Sequence, residues 1–117
     1  MLSFYYLKNC STCTRILKEL EISSSANLID IKNNPINKKT LELLKSLSGS
    51  YEVLFSKKAQ LYNKRKLKNQ NLSEDDFKKL ILEHYTFLKR PVLVVNKKIF
   101  IGNSRKVVEQ AKNIIDG

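Results

Sequence analysis

The sequence predicts an α/β protein with a central mixed sheet and a helical insertion: a β-α-β arm at the start of the chain, a helical middle, and a β-β-α arm at its end. Three observations carry this. Apolar runs of strand length alternate with segments whose apolar residues recur at i, i+3, i+4 and i+7. The first strand, helix and second strand fall within about thirty residues, the length of a unit that returns the chain to a parallel strand by a right-handed crossover. Late in the chain, two apolar runs separated only by Asn96-Lys97-Lys98 read as a tight hairpin. With 117 residues, 42% of them hydrophobic, and no linker, repeat or low-complexity tract, the chain is expected to fold as one domain spanning 1–117.

Each element has a local reason. The run Leu2 to Leu7, with Phe4, Tyr5 and Tyr6, is short and aromatic, which suits a strand. Cys13, Ile16, Leu17 and Leu20 then form one helix face, and Asn27-Leu28-Ile29-Asp30-Ile31 follows Ser23-Ser24-Ser25 as a second strand. Pro35 and Asn37 open a helix carrying Leu41, Leu44 and Leu47 that stops near Gly49. A short helical stretch around Tyr51 to Phe55 leads into a lysine-rich loop. Ser73-Glu74-Asp75-Asp76 is close to a capping box, with Asp where Glu or Gln is usual, ahead of Phe77, Leu80 and Ile81. His84, the only histidine, falls at the edge of that stripe, where a packed or surface-edge role suits it better than that of a catalytic base. Val92 to Val95 and Ile99 to Ile101 make the hairpin, and Gly102-Asn103 breaks the second strand. Val107, Val108, Ala111, Ile114 and Ile115 mark a last amphipathic helix ending near Gly117.

Composition excludes several classes. No run of 18 apolar residues exists, so no membrane span is expected. The apolar start lacks a basic lead and a small-residue cleavage site, so it does not read as a signal peptide, and the protein is expected to be cytoplasmic. Twenty-two Lys and Arg against 11 Asp and Glu give a net charge of +11. Part of the excess is a stripe of six basic residues with no acid, Lys57, Lys58, Lys64, Arg65, Lys66 and Lys68. A stripe like this can attract nucleic acid, an acidic protein surface or a small oxyanion, or it can be a solvated lysine-rich loop. No aromatic ladder interleaves it and no groove-reading helix accompanies it, so direct DNA binding is not expected.

The chemistry concentrates at Lys8-Asn9-Cys10-Ser11-Thr12-Cys13, which holds both cysteines of the chain at the turn from the first strand into the first helix. Unpaired N–H groups and the positive end of the helix dipole favour an anion there, so a thiolate at Cys10 is expected to have a lowered pKa and to act as a nucleophile. A zinc site would need two more ligands, and neither a second Cys pair nor more than one His is present, so no metal is expected. Two cysteines packed as small hydrophobes would also fit the spacing, a reading that suits Cys13 on the apolar face better than Cys10. In a reducing compartment such a pair points to catalysis or sensing rather than a permanent crosslink.

The segments Tyr5-Tyr6-Leu7-Lys8-Asn9-Cys10-Ser11-Thr12-Cys13, Leu54-Phe55-Ser56-Lys57-Lys58-Ala59-Gln60-Leu61-Tyr62, and Phe87-Leu88-Lys89-Arg90-Pro91-Val92 followed by Ile101-Gly102-Asn103 resemble the ArsC/Spx family. The resemblance spans essentially the whole chain and implies a thioredoxin-like fold. It implies that Cys10 is the nucleophile, that Pro91 is a cis proline beside it, and that Arg90 holds an oxyanion through its planar fork. Arg90 by residue type alone could equally be a surface ion-pair partner. Reductases of this family that couple to glutaredoxin use one cysteine and three arginines. Here Cys13 is an additional thiol, Lys58 takes the approximate place of the second arginine, and Gly102 or Asn103 lies near the third.

The resemblance therefore implies an arsenate reductase-like thiol oxidoreductase, with Cys10 attacking a small oxyanion or oxidised thiol substrate, Cys13 resolving, and Lys58, Arg90 and Pro91 at the substrate. It implies no bound cofactor, only an external thiol reductant such as glutathione with glutaredoxin, or thioredoxin. The alternative it implies is an Spx-like redox-sensing regulator that binds RNA polymerase, with the basic stripe in its interface. Gly49 falls in the region where such regulators carry a glycine at their polymerase contact.

Overall fold

The computed structural model describes residues 2–116. They group into two compact units, one made from the two ends of the chain, up to Asn34 and from Arg90 onward, the other from Pro35–Lys89.

The first unit is a four-stranded mixed sheet in the order β2-β1-β3-β4, with β1 Leu2–Tyr6, β2 Asn27–Asp30, β3 Val92–Val95 and β4 Lys98–Ile101. β1 and β2 run parallel, with Phe4 opposite Leu28, and helix α1, Ser11–Glu19, supplies the crossover that parallel pairing requires. β3 runs antiparallel to both β1 and β4. Leu7 was expected in the first strand and instead begins a turn, its carbonyl accepting from Cys10 N–H at 3.1 Å. The hairpin turn is shorter than expected, because Lys98 already pairs with Val95. Asn96 takes φ 56°, a left-handed conformation that Asn tolerates.

Phe4, Tyr6 and Leu93 on one sheet face, Cys13, Ile16 and Leu20 from α1, and Val108 and Ala111 from the last helix form the core of this unit. That helix, Arg105–Asp116, is α5 in chain order; its expected end at Gly117 lies outside the described residues. Arg105 pairs with Glu19, and Lys112 Nζ donates to the Glu19 carbonyl at 3.2 Å, so α5 places cations on the negative end of α1.

The second unit begins with α2, Lys38–Ser48, capped by Asn37 Oδ1 accepting from Thr40 N–H at 2.8 Å and closed by Gly49 at φ 101°. Substitution of Gly49 would meet no steric obstacle but would strain the left-handed backbone that ends the helix. A 3-10 turn, Glu52–Leu54, follows. The lysine-rich stretch is not the loop expected from its charge: it holds helix α3, Gln60–Lys64, and a further 3-10 turn, Leu67–Asn69, because Ala59, Tyr62 and Leu67 are buried and draw the chain onto the core. Two of its six basic residues are paired, Lys57 with Glu52 at 3.0 Å and Arg65 with Glu83 at 2.7 Å.

Helix α4, Glu74–Glu83, starts from a complete capping box, Ser73 with Asp76. His84 ends it and caps the next turn, its Nδ1 accepting from Thr86 N–H at 3.1 Å. Phe55 anchors the unit's core, with Phe77, Phe87 and Tyr62 around its ring at centroid distances of 4.9, 5.3 and 5.9 Å. Among the described residues no helix is long and apolar enough to cross a membrane.

Candidate functional site

The end of the sheet where β1 meets α1 assembles the predicted site residues of the first unit. Cys10 is the N-cap of α1, with extended backbone at φ −91° and ψ 112°. Its N–H closes the Leu7–Cys10 turn, and its carbonyl accepts from Thr14 N–H at 3.1 Å and from Thr14 Oγ1 at 3.3 Å. The turn thus holds both sides of the Cys10 backbone while Lys8 and Asn9 stand exposed at its corners. No acidic residue lies in the first turn of α1.

The same register brings in the second segment. β3 sets Val92 opposite Tyr5 in β1, so Pro91 and Arg90 continue at the end of the sheet where Leu7 and the turn lie. The Arg90-Pro91 peptide bond is cis, as the resemblance implies. Pro91 is buried and Arg90 half-buried. Gly102, at φ 89°, leaves β4 at this end and donates its N–H to the Pro91 carbonyl at 2.9 Å.

The two thiols are driven in opposite directions. Partial burial pushes the Cys10 thiol up, but the Cys13 N–H and thiol, the Thr12 N–H and the Arg90 charge together outweigh it and hold the pKa below the ordinary thiol value. Cys13 is fully buried on the apolar face of α1. That burial, with a hydrogen bond to Cys10 and the proximity of its charge, pushes it up to about 11. Both cysteines are free thiols.

At pH 7 a thiol near 11 is ionised to about one part in 10⁴, against about 3% for an unperturbed thiol. The higher intrinsic nucleophilicity of the more basic thiolate recovers only about tenfold of that difference. Iodoacetamide should therefore label Cys10 at least about tenfold faster than Cys13, as read by peptide mass spectrometry of the reduced protein. Faster labelling of Cys13 would reverse the assigned roles.

Lys58 lies in the second unit, exposed, next to the α3 N-cap Ala59. Asn103 is exposed and Gly102 carries no side chain, so neither brings a positive charge in place of a third arginine. Sequence reasoning did not single out the Thr12 N–H or the Thr14 hydroxyl. Two threonines in the first turn of a helix are the available signal, since such hydroxyls commonly bond nearby carbonyls. Among the described residues no cluster of three or more His, Cys, Asp or Glu could hold a metal ion.

Comparison with known proteins identifies the family and the fold. The ArsC family model matches residues 5–111. The Bacillus anthracis protein named Global transcriptional regulator Spx 2 is 30% identical over 109 residues, covering 87% of this chain and 79% of its own. The structure of a "possible arsenate reductase" from Streptococcus mutans UA159 is 32% identical with a TM-score of 0.70, covering 90% of this chain and 92% of that one. The arsenate reductase structure from Vibrio cholerae superposes with a TM-score of 0.78 at 23% identity, covering 97% and 96%, and so shares the thioredoxin-like fold. A family match over nearly the full length, on a fold that carries a cysteine at the first strand-to-helix turn, shows that this chain belongs to the ArsC family.

Proposed function

We propose that the protein is a thiol-dependent oxidoreductase resembling arsenate reductases, with Cys10 as nucleophile, Cys13 as resolving thiol and Arg90 stabilising negative charge on the substrate. The observation that carries this is the opposed pair of thiols one helical turn apart, one poised to ionise and one held protonated. The Cys10 thiolate attacks the oxidised centre of the substrate and forms a covalent adduct. That step consumes the Cys10 charge and removes one of the causes that keep Cys13 protonated. Cys13 then loses its proton, attacks the Cys10 sulfur and releases the product, which has gained two electrons while two thiols have become one disulfide. An external thiol reductant, glutathione with glutaredoxin or thioredoxin, restores the pair.

A second reading is favoured by one observation, the 30% identity to a protein named as a transcriptional regulator. In it the same Cys10–Cys13 disulfide is the signal, and the oxidised protein binds RNA polymerase.

One experiment separates the two. Purified protein is assayed for reductant-dependent turnover of arsenate and of a low-molecular-weight disulfide with each reductant system and, in parallel, for capture of RNA polymerase in its reduced and oxidised forms. Turnover without capture is the result expected of the enzyme, and redox-dependent capture without turnover that of the regulator. Mild oxidation should remove both free thiols together in either case; independent loss of the two would overturn both readings.

A further inference from the structure

Resting on the thiol-pair reading, we infer that the substrate of the Cys10 site is a low-molecular-weight disulfide carrying carboxylates, rather than an inorganic tetrahedral oxyanion. The charge around the thiol points to it. No Asp or Glu occurs in residues 1–18 or 84–108, the stretches that supply the Leu7–Cys10 turn, the start of α1, the Arg90-Pro91 peptide and Gly102, and Asp30, set opposite Tyr6 at this end of the sheet, is buried with its carboxylate accepting from Asn33 Nδ2 at 2.7 Å. The same stretches carry Lys8 at the exposed corner of the turn, Arg15 exposed on α1, and Arg90, whose charge acts on Cys10. Ser104 Oγ accepts from Val107 N–H at 3.2 Å, so α5 also begins just beyond Gly102, and the positive ends of α1 and α5 adjoin the same end of the sheet.

Of these cations Arg90 is the one whose charge acts on the Cys10 thiol, while Lys8 and Arg15 stand exposed on the turn and on α1. A tetrahedral dianion at Cys10 would need donors on several of its oxygens at once, and the positions of Gly102 and Asn103 supply no cationic side chain. A disulfide presents its own sulfur to Cys10 and carries its charge a few bonds away, where a diffuse positive field is sufficient. Beyond its two chain neighbours, no residue comes within 4 Å of where a β-carbon on Gly102 would stand, so the Pro91 turn is open on that side to the substrate's arms.

The reaction balances without a further oxidant. Cys10 thiolate attacks one sulfur of the substrate R–S–S–R, the S–S bond breaks, and one RS⁻ leaves. Cys13 gives up its proton, attacks the Cys10 sulfur and releases the second RS⁻. The two cysteines are oxidised to a disulfide and the substrate is reduced to two thiols.

The test uses the reduced full chain and three disulfides of similar size: dithiodipropionate, which is anionic, hydroxyethyl disulfide, which is neutral, and cystamine, which is cationic. Single-turnover rates of Cys10–Cys13 disulfide formation are divided by the rates of the same disulfides with mercaptoethanol, which removes their intrinsic reactivities. The normalised rate for dithiodipropionate should exceed that for cystamine by at least about tenfold at low salt. Raising ionic strength should shrink the ratio. Arg90→Gln should reduce it to within about threefold, and Lys8→Gln with Arg15→Gln, both at exposed positions, should reduce it part of the way. Equal normalised rates for the three probes would overturn the inference while leaving the thiol pair intact. Faster loss of thiols with arsenate than with dithiodipropionate would also overturn it. Failure of all three disulfides to yield the Cys10–Cys13 bond would overturn both the inference and the reading beneath it.

Discussion

Phe55→Ala is expected to cost about 4 kcal/mol of folding free energy, in the middle of the range for emptying a buried aromatic site. Phe55 is 1% exposed, stacks on Phe87 with the ring planes 12° apart, and meets Phe77 and Tyr62 at steeper angles. Truncation removes three ring contacts worth roughly 0.5–1.5 kcal/mol each beyond their buried area. It also loosens the strap around the ring, in which Ser56 N–H donates to the Phe87 carbonyl at 2.7 Å and Lys89 N–H to the Leu54 carbonyl at 2.8 Å. For a chain of 117 residues the unfolding entropy near the midpoint is roughly 0.25 kcal/mol per degree, so the midpoint should fall by about 15 °C. Lys57→Ala next to it removes only an exposed ion pair and should change stability by less than about 0.5 kcal/mol. Thermal melts of the two variants check the contrast, and a loss below about 1.5 kcal/mol for Phe55→Ala would show that the four rings repack around the gap.

The elements that could be read from residue order are those whose cause is local. The Ser73-to-Asp76 capping box, the Asn37 cap, the Gly49 stop and the hairpin around Asn96 each depend on residues within four positions of one another, and each is present. The placement of Cys10 at a helix start and of Cys13 on its buried face followed from the same local pattern. The stretch from Lys57 to Lys68 failed this logic. Its five-residue helix is held by burial of Ala59, Tyr62 and Leu67, spaced at no single helical or strand period, while its surface charge gave the stronger signal of a solvated loop.

Arg90 marks the other limit. It lies 80 positions from Cys10 in the chain, and only the antiparallel pairing of β3 with β1 brings the two together. Residue type alone left Arg90 as a surface ion-pair partner; the family resemblance supplied the expectation of an oxyanion-holding role, and the structure shows the Arg90 charge acting on the Cys10 thiol. Lys58 was expected at the substrate by the same resemblance, but the local physics there accounts only for an exposed cation before a short helix.

Serine at each cysteine in turn should divide chemistry from packing. Cys10→Ser removes the only thiol expected to be appreciably ionised near neutral pH, and reduction of any oxidised substrate should fall by at least about 10³-fold. The same change should leave the fold as stable as before or stabilise it by up to about 1 kcal/mol. Cys10 is an N-cap whose sulfur is stabilised by the Cys13 and Thr12 N–H groups as a thiolate but makes no hydrogen bond of full capping geometry, and serine is among the residues that cap best. Cys13→Ser should behave in the opposite way. It puts a hydroxyl among Phe4, Ile16, Leu93 and Val108, at a site with no exposed surface, and should cost about 1–3 kcal/mol. Because Cys10 remains, the first attack still occurs, and the adduct on Cys10 should accumulate as a mixed disulfide or go on to sulfenic acid in the presence of peroxide. Melting curves with intact-mass spectrometry after one equivalent of disulfide give both readouts on the same samples. A stable, fully active Cys10→Ser variant, or a Cys13→Ser variant that turns over without trapping an adduct, would remove the nucleophile and resolving roles from this pair.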